Sequence, residues 1–201
     1  MPLSAAHKQQ TRAKIVEGAR ILFNTKGFHE TSIEDIMLQA GLTRGGFYNH
    51  FKNKDELYAE AVACFLNGRG QSWREEAGVG SVDTGPDTVQ AMIKSYLSSE
   101  HLGDLEGQCP MIALPSDAAR AGPPVQSAYE GLLRAMIGLF EGNTPKGPDQ
   151  RETALILSTL CVGGMVLARS VNDRDLAEEI RSAAFEKALS SIKTDANHSV
   201  P

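Results

Sequence analysis

The sequence predicts an all-α protein: an N-terminal three-helix helix-turn-helix, then a larger helical body, about nine helices in all. Three observations carry this. Apolar residues recur three and four apart over most of the chain, which is the signature of one helix face. Ser, Thr and Asn stand where helices would begin, and Gly and Pro where they would end or restart. No segment alternates apolar and polar residues long enough between turns to make a strand.

The elements follow in order. Residues 8–26 carry Ile15, Ala19, Leu22 and Phe23 as one stripe, and Gly27 stops that helix. A short second helix turns Ile33, Ile36 and Met37 inward. Either Thr31 with Glu34 or Ser32 with Asp35 has capping-box spacing for it. It ends at Ala40-Gly41, where Gly41 suits a left-handed turn. Thr43 is placed to cap a third helix, Arg44 to His50. Asn53 and Glu56 open a fourth, through Leu57, Ala61 and Phe65.

The glycines between residues 67 and 86 predict a frayed helix end near Trp73, then a loop. A helix from Pro86 to about Leu102 follows, then an irregular connector to Pro110. Met111 to Ala121 is helical, with Pro115 and Ser116 interrupting or restarting it. A long helix runs from Pro123 to about Glu141, and two more close the chain at about 149–171 and 174–193. The division expected is 1–56, 57–193 and a disordered tail, 194–201.

Composition narrows the function. The chain has 201 residues, 41% hydrophobic and 22% charged, which suits a packed core. Cys64, Cys109 and Cys161 are odd in number and widely spaced, so they make neither a disulfide framework nor a zinc-ligand pair. The first residues lack the apolar run of a secretory signal, and Ala154–Ala168 is short of the roughly 20 residues of a spanning helix. These features lead us to expect a cytoplasmic protein with no membrane partner, no metal and no cofactor. The net charge is −5, but residues 1–56 carry +2 and residues 57–201 carry −7. A basic head on an acidic body fits a protein whose N-terminal part meets a polyanion.

The third helix is the informative one. Gly45 and Gly46 sit inside it, where each costs about 1 kcal/mol relative to Ala. Two in succession fit a face that must approach a DNA duplex, or a close helix contact. Phe47 and Phe51 are four apart and face a small core, leaving Arg44, Tyr48, His50 and Asn49 outward. The planar fork of Arg44 matches the O6 and N7 edge of guanine. Thr43 either meets a base or caps the helix. Thr31 stands at the second helix start and Lys54 at the fourth, where free N–H groups favour an anion. Lys52 and Lys26 add charge.

The run Thr31 to Leu57, and above all Gly-Phe-Tyr-Asn-His-Phe at Gly46–Phe51 followed by Lys54 and Leu57, resembles the TetR family of transcriptional regulators. The close likeness covers about residues 11–60. It implies a homodimer on a palindromic double-stranded DNA operator, usually a repressor released by a small molecule bound to the body. It also implies that Tyr48 and His50 hold phosphate oxygens. Phe65, Trp73, Met92, Tyr96, Met111, Met136 and Met165 are candidate lining for an apolar ligand cavity or plain core; the cavity rests mainly on the resemblance.

Residues 154–168 are apolar nearly all round. They need cover on more than one side, and Gly163-Gly164 would let another helix close in. The last helix offers Leu176, Ile180, Ala183, Ala184 and Ala188. Pairing of these two helices with a second copy is expected; the alternative is a long helix enclosed within one subunit. Cys109, at a helix entrance, is either a reactive thiol, as in an electrophile- or oxidant-sensing repressor, or a small inert residue. Cys109 with His101 lacks a third orienting group, so an enzyme is not expected.

Overall fold

The computed structural model describes residues 5–79 and 85–197, and of residues 193–197 the backbone alone. All its regular elements among these residues are helical: eleven α-helices and two 3-10 segments. They divide into two compact units, residues 1–67 with 105–132, and residues 68–104 with 133–201.

The first unit contains α1 (Ala5–Lys26), α2 (Ile33–Gln39), a 3-10 segment (Arg44–Asn49) and α3 (Lys54–Cys64), extended by a short 3-10 turn, Phe65–Asn67. Its core is the expected one except that Ile33, expected inward, is half-buried, and Tyr58 joins the core. Ile15, Ala19, Leu22 and Phe23 of α1 are buried with Ile36 and Met37, Phe47 and Phe51, and Leu57, Tyr58 and Ala61 of α3. Burying large side chains such as these contributes roughly 1.5–3 kcal/mol each. Two turns need glycine: Gly27 has φ 83° and Gly41 φ 71°. Of the two possible caps, Ser32 and Asp35 form the capping box on α2. Asn53 caps α3 by accepting from Glu56 N at 2.8 Å.

Three short elements complete this unit: α7 (Pro110–Ala113), α8 (Pro115–Arg120) and the first part of α9 (Pro123–Asn143). Arg20 Nη1 donates to Glu106 O at 2.6 Å, and Asn24 Nδ2 to Gln108 O at 2.8 Å, which ties the 105–110 connector to α1.

The second unit holds α4 (Arg69–Glu76), α5 (Pro86–Tyr96), α6 (Ser99–Gly103), the rest of α9, α10 (Gln150–Arg169) and α11 (Arg174–Asn197). The single helix expected from Pro86 to Leu102 is two. Ser98 breaks it by capping α6, accepting from His101 N at 3.1 Å. Helix α11 runs to Asn197, past Lys193, and residues 198–201 of the expected tail lie outside the described residues.

Helix α10 has 20 residues and is long and apolar enough to cross a membrane by length and composition, which the 15-residue apolar run did not suggest. It packs on α5, α6 and α11 and buries Ala154, Leu157, Cys161, Met165 and Ala168, as a core helix does. A Cβ on Gly164 would stand 2.8 Å from the Ala184 Cβ and 3.2 Å from Leu97 Cδ2. The close approach at Gly164 is therefore to this subunit's own α11, not to another copy. Gly163 meets nothing within 4 Å.

Candidate nucleic-acid interface

The segment after the Gly41 turn is a 3-10 helix rather than the expected α-helix. Gly45 and Gly46 weaken α-helix formation, and the i→i+3 bonds close it instead: Gly46 N to Thr43 O at 3.0 Å and His50 N to Phe47 O at 2.9 Å. Phe47 anchors it, fully buried, with its ring 5.7 Å from that of Phe51. With that anchor inside, Thr43, Arg44, Gly45, Tyr48 and Asn49 are exposed together.

The glycine pair divides in role. A Cβ on Gly45 would meet nothing within 4 Å, so no contact inside the protein requires glycine there. A Cβ on Gly46 would stand 3.4 Å from the Met37 methyl, an ordinary contact. Thr43 occupies the N-cap position, but its hydroxyl makes no cap hydrogen bond. That leaves the hydroxyl outward. Arg44 Nη1 lies 3.8 Å from Glu34 Oε2, with both side chains about 70% exposed.

Other expected residues sit differently. Thr31 is fully buried, and its hydroxyl donates to Gly27 O at 2.7 Å and Leu22 O at 3.3 Å. It is turned into the α1–α2 corner, away from any phosphate. Lys54 Nζ donates to Phe28 O at 2.7 Å and Thr31 O at 3.0 Å, 4.1 Å from the centre of the Phe28 ring. Desolvation holds its pKa below the usual lysine value. Two of its three donors serve the fold. Lys52 is exposed, and its backbone N–H donates to Glu56 Oε2 at 2.8 Å. His50 is half-buried, and its Nδ1 is buried without a hydrogen-bond partner. Desolvation first, then Lys8 and Arg12, lowers its pKa.

Arg12 was missed by periodicity because it lies on the polar side of α1. It donates through Nη1 to His50 O, pairs through Nε with Glu60 Oε1 at 3.1 Å, and stacks 3.9 Å over Phe51. It holds the end of the 3-10 segment against α3. His7, Lys8 and Thr11, also on α1, line a cleft beside Thr43, Gly46, Asn49 and His50. No spacing rule singles them out, because the chain brings α1 and the 3-10 segment together only on folding.

The body residues separate. Phe65, Met92, Tyr96, Cys109, Met111, Met136 and Met165 are all buried. Trp73 is half-buried, and of this set it alone lines the cleft of about 780 Å³ described on the second unit, with Arg69, Glu76, Lys94, His101 and Asp104 among its neighbours. Its ring lies 4.8 Å from that of His101. Cys109 is only 2% exposed and starts a helix of four residues. Cys161 is fully buried, which pushes its thiol pKa up. Cys64 is half-buried, and burial raises its pKa to about 11. No group of three or more metal-ligating side chains occurs among the described residues.

A family profile described as bacterial regulatory proteins, tetR family, matches residues 15–61, the stretch that builds α1, α2, the 3-10 segment and most of α3. Residues 15–61 are therefore similar to the DNA-binding head of that family. The uncharacterized HTH-type transcriptional regulator YfiR of Bacillus subtilis is similar, 30% identical over 93 residues, which is 45% of this chain and 41% of that relative. The alignments to this and the next curated relatives span less than half their length. Among solved structures, a TetR regulator from Chloroflexus aurantiacus superposes with TM-score 0.70 at 23% identity, covering 89% of this chain and 94% of that one. Reduced NemR from Escherichia coli superposes at 0.72 and 17%, covering 92% and 96%. At these identities the likeness is one of fold.

Proposed function

We propose that the protein is a sequence-specific DNA-binding transcriptional regulator, a repressor that leaves a palindromic operator when a small molecule binds its body. The observation that carries this reading is the 3-10 segment. Thr43, Arg44, Tyr48 and Asn49 are presented together around a glycine that no internal contact explains. In this reading Arg44 reads guanine, Thr43 meets a base or a thymine methyl, and Tyr48, Asn49, His50 and Lys52 meet the phosphate backbone. Lys54 and Thr31 act one step back, holding the α1–α2 corner. The protein works in the cytoplasm and catalyses no reaction.

Two copies are needed to read a palindrome. Leu155, Ile156 and Leu167 of α10 and Leu176 of α11 are exposed, although the same helices bury Leu157, Met165, Ala184 and Ala188 on their other faces. A second copy covering this outward stripe completes the α10 and α11 interface. The effector is an unidentified small molecule bound to the body. The alternative in which Cys109 senses oxidants gains no support from its burial.

The test is fluorescence anisotropy of the purified protein on duplex DNA across a salt series, with size-exclusion light scattering. A dimer whose affinity falls steeply and linearly in log salt supports the proposal. A monomer whose weak binding is indifferent to salt refutes it.

A further inference from the structure

Arg44 does not stand alone on the exposed face. Glu34 is the second residue of α2, outside the Ser32–Asp35 capping box, and has no part in the core. Its carboxylate lies 3.8 Å from Arg44 Nη1. That separation is an ion pair but too long for a hydrogen bond. Both partners are largely exposed, so the pair contributes little to folding. A negative charge on the face that meets a polyanion opposes binding unless it has a task there.

Resting on the DNA-binding reading, we infer that Glu34 is a specificity-determining residue that positions the Arg44 fork and cancels its attraction for arbitrary phosphates. Two consequences follow from the geometry. The carboxylate draws the guanidinium toward the start of α2, and because no hydrogen bond joins them all five Arg44 N–H donors stay available to a base edge. The pair also has no net charge, so it adds little to sequence-independent binding, which is governed by uncompensated cations. Away from guanine the fork lacks its O6 and N7 acceptors. The carboxylate then faces base and phosphate oxygens that repel it, and the wrong duplex is penalised. Arg44 supplies the attraction and Glu34 the penalty.

The experiment is selection of bound sequences from a randomised duplex pool. It uses the full-length wild type, Arg44→Ala, Glu34→Gln and, as a control for head charge alone, Glu30→Gln, another exposed carboxylate of the head. Wild type is expected to enrich an inverted repeat with one guanine per half-site that Arg44→Ala loses. Glu34→Gln is expected to bind random duplex more tightly and to lower the guanine preference at that same position about 5- to 10-fold. Other positions should keep their preferences, and the thermal midpoint should not move. Glu30→Gln should leave the preference unchanged. If Glu34→Gln enriches the wild-type motif undiminished, or if Glu30→Gln erodes it equally, the role of Glu34 is refuted while the regulator reading stands. If the wild type enriches no motif, both fall.

Discussion

The guanidinium carbon of Arg12 lies 3.9 Å from the centre of the Phe51 ring, and the same guanidinium reaches the carbonyl of His50 and the carboxylate of Glu60. One side chain thus clamps the last turn of the 3-10 segment onto α3. Arg12→Ala leaves the His50 carbonyl and Glu60 without this partner. It should cost about 1–3 kcal/mol, read as a lowered denaturant midpoint. Arg12→Lys should recover only part, because an ammonium cannot serve Glu60, the carbonyl and the ring at once.

The glycines give an opposed pair of predictions. Gly45→Ala puts a methyl into open space within a helix and should raise stability by about 0.5–1 kcal/mol while weakening DNA binding. Gly164→Ala drives a methyl to 2.8 Å from the Ala184 Cβ and should destabilise by about 1–3 kcal/mol. Urea melts of the two variants, with DNA titration of the first, check both signs.

Stability should fall on acidification below neutrality. His101 is buried, with its Nδ1 2.8 Å from Tyr96 O, and desolvation is the largest cause lowering its pKa from 6.5. His50 is lowered too, by its own desolvation. A depressed histidine gives stability that is fully present above the unfolded value of 6.5. That stability is lost as pH falls through the folded value, because the unfolded chain takes up the proton first. Unfolding followed from pH 7 to about 5 should show the decline, at most about 1.4 kcal/mol per pH unit for each histidine. His101→Gln should flatten the slope.

A charge in the outward stripe should separate the copies. Leu167 is 58% exposed on α10, so Leu167→Glu leaves the subunit's own packing intact. The variant is expected to keep its helical circular dichroism and scatter light as a monomer. It should bind an inverted repeat about 100-fold or more weakly, since two linked half-site contacts become one.

Much of the head was legible because it is local. Caps at Ser32 and Asn53, the turn at Gly41 and the Phe47–Phe51 spacing each rest on residues within a few positions of one another. What the sequence hid depends on distant residues meeting. Arg12 joins His50 and Glu60 across 38 and 48 positions, and Lys54 reaches Phe28 and Thr31 across 26 and 23. Thr31 was expected at a phosphate because its position opens α2, but its hydroxyl finds carbonyls in its own corner. Apolar residues of the body could not be sorted into core and lining, since a buried Met looks alike in both. The 3-10 winding at Arg44–Asn49 follows from two glycines whose effect on helix type periodicity does not register.

The most direct measurement is the ratio of affinities for an inverted repeat enriched by the protein and for the same duplex scrambled, at about 150 mM salt, for wild type and Arg44→Ala. A ratio of about a thousandfold or more is expected for wild type, and a ratio at least tenfold smaller for Arg44→Ala at unchanged stability. Equal affinity of wild type for both duplexes, or a ratio indifferent to Arg44, would contradict the DNA-binding reading.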